Sequence, residues 1–203
     1  EIYKAWAWGN YNYQSKSKKN LLYVKEQKEL EFLTFYSDCI NFSRDLINSP
    51  ANKLNPSTYY SKIKNNNLFK SFNFIDYTEK EINSNFPLTC AVGKSSFSKP
   101  KVIEITNRKL SKKDKPLVII GKGVTFDTGG VNIKPGTSMR NMKKDMGGSA
   151  IAISLFLLAN YFLKKTKIVL IAPIAENAIS SKSMRPGDVL SLIHISEPTR
   201  QAS

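Results

Sequence analysis

Between Lys25 and Ile47 the apolar residues Leu30, Leu33, Cys39, Phe42, Leu46 and Ile47 recur every three or four positions. That spacing predicts one helix with a single buried face, stopped by Asn48, Ser49 and Pro50. The segment "NPSTYYSKIKNN" places an asparagine or serine cap around Pro56 and predicts a short helix after it. Phe72 to Tyr77 and Lys101 to Thr106 alternate apolar and polar residues, the pattern of half-buried strands. "KPLVIIGKG" and "KIVLIAP" (Lys167 to Pro173) are instead continuously apolar and are expected as fully buried strands, with a helix from Ala150 to Lys164 between them.

Strand, glycine loop, long helix and strand in that order predict an α/β fold. It should be a three-layer sandwich, its mixed, largely parallel central sheet flanked by helices. In such sheets functional groups gather just past the carboxyl ends of the strands. Lys122 and Asp127 follow one such end at Ile120, and Glu176 and Asn177 follow the next.

Length and composition narrow the class. The chain of 203 residues, 41% hydrophobic and 11% aromatic, can bury a core and is not a disordered segment. Its longest apolar run, Ala150 to Leu163, falls short of the ~20 residues of a membrane span and includes Asn160, so it reads as a core helix and no membrane partner is expected. The 31 basic against 16 acidic side chains leave a net charge of +15, which raises the question of nucleic acid. The lysines are scattered among many asparagines, however, and the densest run, Ser15 to Asn20, reads as a solvated loop. Cys39 and Cys90 form no CxxC pair and read as buried thiols of a reduced compartment. The chain opens on Glu1, so its natural N-terminus is expected upstream.

Candidate chemistry concentrates in "GKGVTFDTGGVNIKPGTSMRNMKKDMGGSA". It holds Lys122, Asp127, Lys134 and Asp145 among glycines that tolerate close backbone approach or positive φ. Asp145 precedes the long helix and should lie at its N-terminal end. A phosphate cradle fits poorly, because Leu88 stands where a Walker motif needs its first glycine and Phe126 where GxGxxG needs its third. Two readings remain from the residues alone. In one, Lys122 and Asp127 form a structural ion pair and Asp145 caps a helix. In the other, the two carboxylates and a lysine hold divalent metal.

The same stretch closely resembles the catalytic core of the leucyl aminopeptidase family, the cytosol aminopeptidases of peptidase family M17. The family pattern GKG-x-TFD-[ST]-GG matches Gly121 to Gly130, and the steps from Lys122 to Asp127, Asp127 to Lys134 and Asp127 to Asp145 are 5, 7 and 18 residues, as in the family. "SRDLINSPANKLNP" (Ser43 to Pro56) and "APIAENAISSKSMRPGDVL" (Ala172 to Leu190) resemble two further family segments. The resemblance implies a metal-dependent aminopeptidase that releases N-terminal residues, preferably leucine, from peptide substrates. It implies two divalent ions (zinc or manganese, with cobalt or magnesium also suited), a cytoplasmic location and a homohexamer for the full-length protein. By the same resemblance Lys122 ligates one metal as a neutral amine, Asp127 bridges both, and Asp145 ligates the metal of Lys122. Lys134 stays charged and polarises the scissile carbonyl.

The resemblance also marks a shortfall. Two divalent ions bring four positive charges, and Asp127 and Asp145 return only two. The family's NTD[AG]EGR segment, which supplies further acids and a catalytic arginine, is not found; after Leu190 the chain reads "SLIHISEPTRQAS". Residues 1–190 are therefore expected to be a partial catalytic domain, with its sheet incomplete on the C-terminal side. Residues 191–203 are expected to be a non-family tail resembling sequencing-adapter read-through, in which His194, Glu197 and Arg200 have no site role. The rival function is a non-catalytic, basic nucleic-acid-binding protein on the same fold, whose affinity would fall steeply with salt.

Overall fold

A computed structural model describes residues 2–13 and 24–189. The expected tail and the basic run at Ser15 to Asn20 lie outside the described residues. After a first helix, α1 (Ile2–Gly9), the long helix α2 runs Gln27–Asn48, close to its predicted bounds. Pro56 starts α3 (Pro56–Lys64), and the Asn55 side chain accepts from the Thr58 amide, 3.0 Å away, as its cap. The chain continues through β1 (Asn73–Ile75), α4 (Glu79–Asn85), α5 (Pro87–Gly93), β2 (Lys101–Thr106), β3 (Leu117–Ile120), β4 (Gly123–Asp127), α6 (Gly136–Met139), α7 (Gly147–Phe162) and β5 (Ile168–Asn177). Thr78 and Glu81 close a reciprocal capping box on α4, which the sequence reading did not anticipate.

The five strands form one mixed sheet in the order β1-β2-β5-β3, with β4 also on β5. β1–β2 and β2–β5 are antiparallel, whereas β3–β5 and β4–β5 are parallel, so the pairing is divided more evenly than the largely parallel sheet expected. Alternate residues of β5, Ile168, Leu170, Ala172 and Ile174, enter the main core with Ile103 and Ile105 of β2. That core is closed by Ala150, Ile153, Phe156 and Leu157 of α7, by Tyr59 and Ile63 of α3, and by Cys39 and Leu46 of α2. On the opposite face, α5 meets β5 where Gly93 approaches Ala175. Helices thus cover both sheet faces, and the α/β layering expected from the sequence is present.

Two expectations need correction. The LVII strand is not fully buried: Ile119 faces the core, but Ile120 is 71% exposed. β3 ends the strand order, and α7 shields only the face that Ile119 shares with the core. The glycine loop after it is also not a loop. β3 pairs Leu117 with Ile168 and β4 pairs Gly123 with Ile174, an offset of 51 residues in both cases, so the two are one strand interrupted at Gly121 and Lys122. The interruption lies opposite Pro173. The Gly121 amide donates to the Ile171 carbonyl at 3.1 Å, and a parallel ladder would return a bond from residue 173, where proline has no N–H.

At this break the N-terminus of α7 comes against the strand. The Ser149 amide donates to the Lys122 carbonyl at 2.8 Å, and a Cβ on Gly121 would lie 2.5 Å from Ser149 Cα. Met142–Phe162 is long and apolar enough to cross a membrane by length and composition, yet its helical core, from Ala150 to Leu157, packs into the sheet. Cys39 is buried and Cys90 only half-buried, and both are free thiols.

Because backbone cannot retreat from a new methyl at Gly121, Gly121→Ala should lower unfolding free energy by about 1–3 kcal/mol. Gly136→Ala, where nothing lies within 4 Å of the added carbon, should be close to neutral. Denaturant melts of the two variants against wild type check this.

Candidate active site

The chain order Lys122, β4, Asp127 puts a cation and an anion at opposite ends of a five-residue strand rather than on one loop. Their partners are accordingly not each other. Lys122 Nζ bonds Asp145 Oδ1 at 2.6 Å, and Lys134 Nζ lies 3.1 Å from Asp127 Oδ2. The structural ion pair between Lys122 and Asp127 is therefore overturned. So is the helix-cap role of Asp145. It ends a 3₁₀ turn (Met142–Lys144) that packs against β4, while the residue at the N-cap of α7 is Met146, without a side-chain cap bond.

Each carboxylate is held differently. Asp145 uses Oδ1 on Lys122, and its Oδ2 is buried with no hydrogen-bond partner. A buried carboxylate oxygen without a donor is costly, and a cation is the group that commonly relieves such a cost. Asp127 has no free oxygen. Its Oδ1 accepts from the Gly129 amide at 2.9 Å and from Asn177 Nδ2 at 2.7 Å, and its Oδ2 faces Lys134. Burial works to raise the pKa of Asp127, but the Gly129 amide, Lys134 and Asn177 outweigh it and hold the carboxyl below its ordinary range.

The turn after Asp127 depends on glycine. Gly129 and Gly130 have φ of +87° and +67°, the left-handed region in which side chains are strained. The turn closes where the Lys134 amide donates to the Thr128 carbonyl at 2.9 Å, which brings Lys134 back beside Asp127.

The position of α7 is fixed from below by Tyr59. Its buried hydroxyl lies 2.8 Å from Ser149 Oγ, which also donates to the Met146 carbonyl at 2.7 Å. That chain of bonds runs to the residue beside Asp145.

Sequence reasoning missed a second polar cluster. Glu176 lies within β5 rather than past its end, 2% exposed, where it pairs with Arg185 and accepts from Ser96 Oγ at 2.9 Å. Arg185 also bonds Asp188 at 3.2 Å. Burial alone would lower the Arg185 pKa, but Glu176 and Asp188 raise it above its ordinary value. Asp188 in turn accepts from the Asn52 amide at 3.2 Å, so the RPGD segment is fastened to the NSPANK segment. The available signal was the acid itself: a glutamate inside the apolar run "IVLIAPIAEN" has to be paired.

These features define a class. It is an α/β sheet in which a lysine–carboxylate pair stands at each end of strand β4, one of them with an orphaned buried oxygen of the kind that a cation satisfies. Among the described residues no group of three or more His, Cys, Asp or Glu gathers at one point.

The comparisons make the class specific. Residues 41–196 match the model of the cytosol aminopeptidase family, catalytic domain, and the chain belongs to that family. A probable cytosol aminopeptidase of Corynebacterium glutamicum is 38% identical over 155 residues, 75% of this chain and 31% of the relative. The crystal structure of the cytosol aminopeptidase of Coxiella burnetii superposes with a TM-score of 0.73 at 32% identity, covering 92% of this chain and 41% of that one. The bottromycin maturation enzyme BotP in complex with Mn gives the same TM-score at 25% identity, over 92% of this chain and 41% of its own. The chain therefore spans less than half the length of these relatives.

Because its folded pKa is depressed, Asp127 contributes stability that is present above the ordinary carboxylate pKa of roughly 4 and is lost as pH falls through the folded value. In metal-free buffer Asp127→Asn should therefore show a flatter fall in stability below pH ~4 than wild type. Urea midpoints measured across that range test it.

Proposed function

We propose that this chain is part of a metal-dependent aminopeptidase in which Lys122, Asp127 and Asp145 hold two divalent ions and Lys134 is the catalytic cation. The observation that carries the reading is the buried, unpartnered Oδ2 of Asp145 beside the Lys122 amine, at the positions where the family motif has its ligands. Oxygen and amine donors suit zinc, manganese, cobalt or magnesium. The Mn complex of a neighbour at 25% identity favours manganese as the first ion to try. When bound, such a pair of ions supplies Lewis-acid activation of a water and of the substrate carbonyl.

The chain's own groups supply the rest. Asp127 offers a carboxylate whose orientation is already fixed by two donors on Oδ1, so little ordering cost remains on binding. Asp145 offers the oxygen that has no protein donor. Lys134 is tethered through its amide to Thr128, and its ammonium can swing from Asp127 to the oxygen of a peptide carbonyl as negative charge develops there. Peptides with a free N-terminal amine, leucine first among them, are the proposed substrates. We extend the reading to a cytoplasmic, hexameric full-length enzyme.

Two outcomes test this. In the full-length enzyme, Lys134→Ala should lower kcat by about 10²–10³ while metal content stays at wild-type stoichiometry. Loss of metal together with activity would make Lys134 a ligand. Second, the 203-residue chain alone should release no leucine from a chromogenic leucyl amide, even with excess manganese or zinc, because two carboxylates leave the ions' charge half compensated. Metal-dependent turnover abolished by Asp127→Ala would show that this chain completes the site by itself.

A further inference from the structure

We infer that Asn177 is a positioning residue that aims the Asp127 carboxylate and anchors the turn carrying Lys134. The inference rests on the metal reading above only for what the carboxylate is aimed at. The ladder between β4 and β5 keeps its offset of 51 residues through Val124, which would set Ala178 opposite Asp127. A bulge between Val124 and Asp127 removes one residue from that offset and brings Asn177 opposite instead. Bulges re-aim side chains in this way next to functional sites.

Three contacts then converge on Asn177. Its Nδ2 donates to Asp127 Oδ1 at 2.7 Å. Its backbone carbonyl accepts from both the amide and the hydroxyl of Thr128, at 2.9 and 2.7 Å. Its Oδ1 would lie 3.1 Å from a Cβ at Gly130, so the amide also fills the space under the positive-φ turn. Thr128 passes the constraint on, because its carbonyl accepts from the Lys134 amide at 2.9 Å. One residue at the end of β5 thus fixes the carboxylate through its side chain and the lysine through its backbone. Substituting the side chain separates the two effects: it removes the donor to Asp127 and leaves the Thr128 bonds in place.

The experiment uses the 203-residue chain as wild type, Asn177→Ala, Asn177→Leu and Asp127→Asn. The leucine variant keeps a side chain of similar bulk without a donor. Mn²⁺ binding is followed by water-proton relaxation, and exchange of the Gly129 amide by NMR in metal-free buffer. Loss of the Asn177 donor should weaken by roughly 10–100-fold the Mn²⁺ binding that Asp127→Asn abolishes. It should also speed exchange at Gly129, whose amide shares Asp127 Oδ1 with Asn177. Wild-type Mn²⁺ affinity and unchanged Gly129 exchange in Asn177→Leu would overturn the positioning role while leaving the metal reading intact. If wild type and Asp127→Asn bind Mn²⁺ equally, the metal reading fails; faster Gly129 exchange in Asn177→Leu would still uphold the positioning, and unchanged exchange would overturn both.

Discussion

Strand β5 is hydrogen-bonded along both edges, to β2 on one side and to β3 and β4 on the other, and Pro173 in its middle withholds one N–H. The Lys122–Asp145 half of the candidate site lies at that missing donor. The neighbouring strand, unable to continue its ladder there, breaks at Gly121 and Lys122. Beside the break comes the first turn of α7, whose Ser149 amide donates to the Lys122 carbonyl. The lysine is thereby set at a backbone discontinuity, and the segment just before the helix brings Asp145 to it.

The four charged residues form a self-neutral arrangement, two cations against two anions, in which each carboxylate has been given a lysine. Such pairs remove the cost of burying an uncompensated charge, so the folded chain does not require metal to satisfy its electrostatics. The exception is one oxygen of Asp145. The two sites are therefore unequal: one carboxylate is fully bonded within the protein, and the other retains an unmet valence.

Much of this was legible from the residues alone. The 3.6-residue recurrence gave α2, a long apolar run gave α7, and Asn55-Pro56 gave the start of α3, each to within a few positions, because periodicity, apolar runs and caps are local signals. The α/β class followed from the order of strand, helix and strand. Glycine density misled at Gly121 and Gly123, where glycine serves close packing along a strand rather than a loop; within Gly121–Gly130 it is Gly129 and Gly130 that have the positive φ a turn demands. The pairing of charges was not legible, because partners 23 residues apart, as Lys122 and Asp145 are, are chosen by the fold rather than by spacing. Asn177 was visible only as a strand end, since nothing local announces a bulge between Val124 and Asp127.

The bonds from Asn52 to Asp188 and Val189 join residues 136 and 137 positions apart. Closing a loop of that size costs more chain entropy than any local contact, and the whole sheet and the long helix α7 lie between its ends. The clamp on the RPGD segment is a long-range closure held by a few polar bonds on Asn52, and such closures are expected to form after the elements they span. Opening there would loosen Arg185 from Glu176 one residue away from Asn177, which makes the folding history of the chain and the rigidity of its candidate site two aspects of one loop closure.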